Sequence, residues 1–368
     1  MGLLGLSGCG SPSSASVEMS SQTELVKTGS MELQYAENFA VDYYEDGYKM
    51  LTTLPDSKRY LLVPEGQPVP QGLDEDVSIL QEPLQNIYLV ASGVMDMFAS
   101  VDAVEQIRFS GQKQENWYIQ TAKDAMAGGD MIYAGKYSKP DYELLVSEGC
   151  DLAIENRMIT HSPEVVEMLQ SFDIPVMIEY SSYEQHPLGK VEWVKFFGAL
   201  TGREAEAEEA FAEQAEILEE VESGEKTGKT IAFFYVTSNG LIQVRQSTDY
   251  IPKLIELAGG RYIFENLEDS GSGRSTLNMQ VEDFYAGAKD ADILIYNSSI
   301  DGGVTTVDEL IGKCNILKDF KAVQEGQVYC TTNDMYQQSM AIGYLLQDMH
   351  TVLTDDDTAK LRYLFLLQ

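Results

Sequence analysis

The sequence predicts an α/β protein made of two Rossmann-like lobes of mostly parallel sheet, joined by one long rigid helix and preceded by a β-rich extension. Short, continuously apolar runs alternate with helical segments twice along the chain, as buried parallel strands covered by helices require. A Glu-rich helical stretch, residues 201–224, separates the two series. Ahead of the first series, residues 31–84 hold strand-like runs divided by turn residues. The 368 residues suit about two domains.

Taken in order, residues 10–30 are polar and Ser-rich, the composition of a flexible tether. In "FAVDYYEDGYKMLTTL" two β-rich runs flank Asp46-Gly47, a hairpin signal. "RYLLVPEGQPVPQGL" adds a strand entering a Pro-rich connection. The N-terminal lobe extends to residue 200. Within it "IYLVAS" is a buried strand, a helix opens at Val94, "YELLVSEG" is a helix and "CDLAIE" a buried strand. "SPEVVEMLQSF" opens a helix with Ser162 as N-cap and Pro163 at the first helical position. "IPVMIEY" is again a strand.

Residues 203–224 contain nine Glu, with Ala207, Phe211, Leu218 and Val221 on one helical stripe. About 20 residues at 1.5 Å each make a rod of roughly 30 Å. The C-terminal lobe, 225–368, starts with "KTIAFFYV" and "LIQVR" about Asn239-Gly240, a second hairpin signal. "IPKLIELAGG" is a helix stopped at Gly259, "VEDFYAGAKDADILIYN" is helix then strand, "GQVYCTTND" is a strand, and "QSMAIGYLLQDMHTVL" is a closing helix.

A formal charge of −34 argues against a nucleic-acid partner, since no basic stripe exists to neutralise phosphates. Apart from the first few residues, no apolar run approaches the roughly 18 needed to span a bilayer. The four cysteines, Cys9, Cys150, Cys314 and Cys330, have no metal-ligand spacing. Cys150 reads as a small buried hydrophobe. Whether Cys314 and Cys330 are bridged is left open by sequence.

Nucleophile elbow, Walker loop, HExxH and kinase signatures are absent. The three histidines are too scattered for a zinc site. Unusual residues instead gather just after the strands, where open α/β sheets bind ligands. In the first lobe these are Trp117, Tyr118, Lys136, Tyr137, Arg157, Met158, His161, Tyr183 and His186. In the second they are Arg245, Tyr250, Arg274, Tyr296 and Tyr336. Any single tyrosine has a core role as its simplest explanation. Their joint placement predicts an inter-lobe cleft with π-faces and a few cations, suited to a large, flat or chelated anionic ligand. His161 and His186 are candidate axial ligands to a metal carried by that ligand.

Several stretches, in order, resemble the substrate-binding proteins of ABC importers for ferric siderophores, haem and cobalamin. They are "YAGKYSKPDYELLVSEGCDLAIE", "FFGALTGREAEAEEAF", "IPKLIELAGG", "LNMQVEDFYAGAKDADILI" and "FKAVQEGQVYC", within residues 85–353. The resemblance implies the class III binding-protein fold, capture of a solute without covalent chemistry, and no cofactor beyond a metal the solute itself carries. It implies that Glu143 and Glu282 meet arginines on the transmembrane permease subunits, where complementary charge registers docking. It also implies small lobe closure, while the strong net charge suits a protein kept monomeric. Asp141 stands where the family often has Asn, and residues 31–84 are longer than its usual N-terminus.

"LSGC" (6–9) resembles a bacterial lipobox, which makes Cys9 the expected lipidation site and membrane anchor on the outer face of the cell. Only eight residues precede Cys9 and none is basic, so residues 1–9 read as a truncated signal whose front end is missing. Two rival readings of the cleft are a surface hydrolase or chelatase, for which no nucleophile–base pair is found, and a sensing or adhesion module that never docks to a permease.

Overall fold

The computed structural model describes residues 1, 25–268, 275–298, 302–355 and 358–368. Cys9 and Arg274 lie outside these residues.

The extension is a five-stranded sheet in the order β1 (Lys27–Ser30), β2 (Phe39–Tyr44), β3 (Lys49–Thr53), β4 (Lys58–Val63) and β5 (Val77–Gln81). The stretch expected to be a tether therefore ends in an edge strand, because β1 pairs antiparallel with β2. The Asp46-Gly47 hairpin forms as expected, with both residues at positive φ. Period-2 alternation gives the sheet two apolar faces. Phe39, Val41, Leu51, Tyr60 and Leu62 join the main core, while Tyr48, Met50, Leu61 and Val63 are covered by Leu73 and its neighbours.

The N-terminal lobe runs β6 (Ile87–Leu89), α1 (Val94–Ser100), β7 (Ile107–Ser110), α2 (Gln120–Gly128), β8 (Ile132–Tyr133), the short pair β9 (Gly135–Lys136) and β10 (Lys139–Pro140), α3 (Tyr142–Ser147), β11 (Leu152–Asn156), α4 (Pro163–Ser171) and β12 (Val176–Glu179). Its main sheet is wholly parallel, in the order β12-β11-β6-β7-β8. Pro163 opens α4, but the Ser162 side chain makes no capping hydrogen bond.

Two helices follow, α5 (Pro187–Thr201) and α6 (Glu204–Glu222), separated by Gly202 at φ +70°. The connection is thus a packed helix pair rather than α6 alone. From Pro187 to Leu200 every residue of α5 is buried, so the helix is apolar nearly all round, the pattern of a core helix. Its three charged side chains each serve an interface. Lys190 reaches the cleft. Glu192 accepts the N–H groups of Gln34, Tyr35 and Ala36 at 2.8–3.1 Å. Lys195 bridges Glu192 at 3.5 Å and Glu208 of α6 at 2.9 Å. Glu184 completes the grip on the extension by accepting from Glu37 N and Asn38 N at 2.9 and 3.0 Å.

The C-terminal lobe comprises β13 (Thr230–Val236), β14 (Ile242–Arg245), α7 (Tyr250–Leu257), β15 (Arg261–Tyr262), β16 (Thr276–Met279), α8 (Val281–Ala288), β17 (Ile293–Tyr296), α9 (Val307–Lys313), α10 (Lys321–Gln324), β18 (Val328–Thr331), α11 (Ile342–Thr354) and β19 (Leu364–Leu366). Its centre, β13-β17-β18 with β15, is parallel, but β14, β16 and β19 are antiparallel. The Asn239-Gly240 turn causes part of this departure from a mostly parallel sheet, since a tight hairpin returns β14 antiparallel beside β13, while β19 adds itself antiparallel to β18 at the other edge. Cys314 and Cys330 are both buried and are not joined in a disulfide, and Cys150 is partly buried. No described helix is long and apolar enough to cross a membrane.

Between β18 and α11, residues 332–341 cross back to the N-terminal lobe. Gln337 Nε2 donates to Asn116 O and its Oε1 accepts from Tyr118 N, both at 2.8 Å. Met340 N donates to Asp96 Oδ2 at 2.7 Å. The lobes are therefore tied by this strap as well as by the helix pair.

Candidate ligand cleft

A cavity of about 290 Å³ lies between the lobes. The ends of three parallel strands build its N-terminal wall: Ser92 and Gly93 after β6, Asn156 ending β11 with Arg157 and Met158 beyond it, and Glu179 ending β12 with Ser181 to Tyr183 beyond it. Facing them are Arg245 at the end of β14, Asp249 and Tyr250 where α7 begins, Ser275, and Tyr336 and Ser339 of the strap. Lys190 enters from α5. At Gly93 a Cβ would stand 2.7 Å from Ser339 Oγ and 3.3 Å from Tyr336 O, so glycine permits the close approach of the two walls. A second cavity of about 250 Å³ shares Arg157, Ser182, Tyr183, Asp249 and Ser275 and continues the cleft.

The cations are held differently. Arg157 lies over the Tyr183 ring at 4.5 Å. Arg245 donates through Nη2 to the Tyr336 hydroxyl and pairs through Nη1 with Asp249 Oδ2 at 3.4 Å. Burial opposes its charge, but Tyr336 and Asp249 more than offset this and raise its pKa. Asn297 Nδ2 donates to the same Tyr336 hydroxyl at 2.7 Å, leaving Asn297 Oδ1 buried without a partner among the described residues. Burial pushes Tyr336 up to about 12, with Arg245 the main opposing influence. Asp249 caps α7 by accepting from Ile251 N at 2.9 Å. Burial raises its carboxyl pKa against the pull of Arg245. Burial likewise raises Glu179, against the hydroxyl and amide of Ser181. The Lys190 ammonium is pushed down by burial, with Glu179 the leading counterweight. Its Nζ sits 4.6 Å from the Tyr250 ring centre.

A sequence model of periplasmic binding proteins matches residues 98–335, from within α1 to the strap. The chain belongs to the periplasmic binding protein family. Its work is thus to bind a solute rather than turn one over, in keeping with the expected non-enzymatic role. This binding protein is 24% identical to an uncharacterized lipoprotein of Methanocaldococcus jannaschii across 87% of its own length and 81% of the relative's. A second uncharacterized lipoprotein of that organism is also 24% identical, covering 84% and 79%. Among solved structures, a "possible" iron-binding (periplasmic solute-binding) protein of Staphylococcus epidermidis superposes with TM-score 0.57 at 17% identity, over 73% of this chain and 98% of the other. The periplasmic heme-binding protein HutB of Vibrio cholerae gives 0.57 at 14%, with the same coverages. Both confirm the class III-type fold. The family match begins beyond the extension sheet.

Six of the side chains expected from sequence meet in the cleft of this binding protein: Arg157, Met158, Tyr183, Arg245, Tyr250 and Tyr336. Others do not line it. Trp117 is wholly enclosed, its indole N–H on Ser110 Oγ at 3.0 Å. Tyr118 is exposed beside Lys123, outside the cavity. Lys136 lies exposed on β9, while Tyr137 packs against the lobe's core. His161 is exposed at the end of a short turn. His186 is occupied as the N-cap of α5, where its Nδ1 accepts from Leu188 N at 3.2 Å and its ring stacks on Tyr35. Burial lowers its pKa, which suits that acceptor role. Tyr296 is fully buried against Phe234. Sequence reasoning missed Lys190, Glu179 and Asp249. The motif Asp249 followed by a helix start could have marked the last, but nothing local marks a core-helix lysine as a cleft residue. Glu143 on α3 and Glu282 on α8 are both exposed, as a docking role requires.

Proposed function

We propose that this binding protein is the extracytoplasmic, lipid-anchored receptor of an ABC importer. It captures a metal chelate or tetrapyrrole, such as an iron–siderophore, haem or cobalamin, between its lobes and delivers it to the permease through Glu143 and Glu282. The observation that carries the reading is the convergence of Arg157, Lys190 and Arg245, from one lobe, the connecting helix and the other lobe, on a single cavity in a chain of net charge −34. Such a local reversal of sign attracts an anionic solute. The lipoprotein relatives favour an anchor, and the iron- and heme-binding structural neighbours favour a chelate. The test is to purify the protein from native-like medium, record its absorbance spectrum and bound-ligand mass, and measure thermal shifts with the three solute classes. A co-purified chelate or a shift with one class is expected; a colourless protein stabilised by none refutes the reading. Reversing the charge of Glu143 and Glu282 should abolish uptake while binding persists; uptake that survives would favour a sensing module.

A further inference from the structure

We propose that Lys190 receives an anionic group of the solute, and that the solute shows the cleft a compact oxyanionic face rather than the flat apolar face of a macrocycle. The inference rests on the cleft being the solute site. Lys190 is 4% exposed and lines the cavity. An ammonium has three N–H donors and, once out of water, needs acceptors for them. Among the described residues its ammonium has the face of Tyr250 and no hydrogen-bond or ion-pair acceptor.

The two nearby carboxylates are already engaged. Glu179 Oε2 accepts from the amide and hydroxyl of Ser181 at 2.8 and 2.5 Å. Asp249 divides its oxygens between Ile251 N and Arg245. Arg157 and Arg245 each lie against an aromatic ring, and Arg245 is further committed to Tyr336. Lys190 is therefore the cation whose donors a ligand would complete. The remaining lining agrees. Five serines and five charged side chains surround a space near the lower end of the ~300–1,000 Å³ range of small-molecule sites, which are mostly apolar. Hydroxyls and cations match carboxylate or other oxyanion groups, and the three lining tyrosines, Tyr183, Tyr250 and Tyr336, each already hold a cation against the ring, Arg157, Lys190 and Arg245.

The test uses the purified protein and its Lys190→Met variant, titrated by calorimetry with ferric citrate (citrate in excess), haemin and cyanocobalamin. Ferric citrate should bind the parent protein most tightly and the variant about 10- to 100-fold more weakly, the loss expected for one charged hydrogen bond. The unliganded variant should melt at the same or a higher temperature, since an unpaired buried charge is gone. Should the variant not fold, the parent protein decides alone: its ferric citrate affinity must fall several-fold between about 50 and 500 mM NaCl. Equal affinity in parent and variant overturns the role of Lys190 and leaves the receptor reading standing, as does preferential binding of haemin or cobalamin. Failure of all three to bind overturns both.

Discussion

Replacing Glu192 with leucine removes one acceptor from three backbone donors at once. The carboxylate is fully buried and receives Gln34 N at 2.9 Å, Tyr35 N at 2.8 Å and Ala36 N at 2.8 Å. Hydrogen bonds to a charged group contribute about 1.5–3 kcal/mol each, and a stranded buried donor costs about 1–3 kcal/mol. Three losses at adjacent residues do not add in full. Lys195 is not stranded, because Glu208 remains 2.9 Å from its Nζ. The expected destabilisation is therefore about 3–5 kcal/mol, a large part of the roughly 5–15 kcal/mol that holds a typical domain folded. Glu184 keeps its own two amides, so residues 34–36 should loosen before the whole extension is released. Glu192→Gln retains an acceptor oxygen and should lose less than half as much. Urea unfolding followed by tryptophan fluorescence gives the global figure, and hydrogen exchange over residues 27–53 gives the local one. A Glu192→Leu protein within about 1 kcal/mol of the parent, with unchanged exchange at residues 34–36, would falsify the view that this carboxylate fastens the extension.

Glu155 is fully buried on β11, with both oxygens lacking a partner among the described residues, and burial raises its pKa well above the usual range. The folded state thus holds a proton that the unfolded chain releases above about pH 4.3, and stability falls as pH rises toward the folded pKa. Glu155→Met should be more stable by about 1–4 kcal/mol at pH 7, with a gain that widens upward from pH 4; parallel pH profiles in urea melts would reject this. Burial also raises Asp96 to about 6, opposed chiefly by the Met340 N–H. Its share of stability is complete below the unfolded value near 3.9 and is lost as pH rises through 6, so Asp96→Asn should flatten the profile between pH 4 and 7 by about 2 kcal/mol. No flattening would show that the strap tolerates the ionised acid without cost.

Several central strands were legible because burial on both faces writes itself as short, unbroken apolar runs such as Ile87–Leu89 and Ile293–Tyr296, whereas their order in the sheets was not. Turn chemistry was equally local, as Asp46-Gly47 and Asn239-Gly240 show. Side-chain direction was not. The strand-end rule located the loops, yet Trp117 turns inward from its loop and Tyr296 stays in the buried end of β17, while Arg157 and Tyr183 turn toward the cleft. His186 was misread although it directly precedes Pro187 at a helix start, where an N-cap is expected; its ring nitrogen fills that place. Lys190 was invisible for a different reason. Its role exists only because α5 lies where both lobes meet, which is a fact of tertiary packing.

That placement of α5 has a further consequence. The helix shares one continuous core with the extension sheet, the N-terminal lobe and the helices of the C-terminal lobe. The chain looks like three modules in series, but they are not interchangeable parts. A lobe grafted from a relative, or a version trimmed to start at residue 85, would meet a helix whose surface is shaped for all three neighbours. Its amide protons should exchange only when the entire molecule opens, unlike those of the exposed strand β1. Changing the solute preference of such a protein is accordingly a matter of altering cleft side chains one at a time, within an architecture that can be inherited only whole.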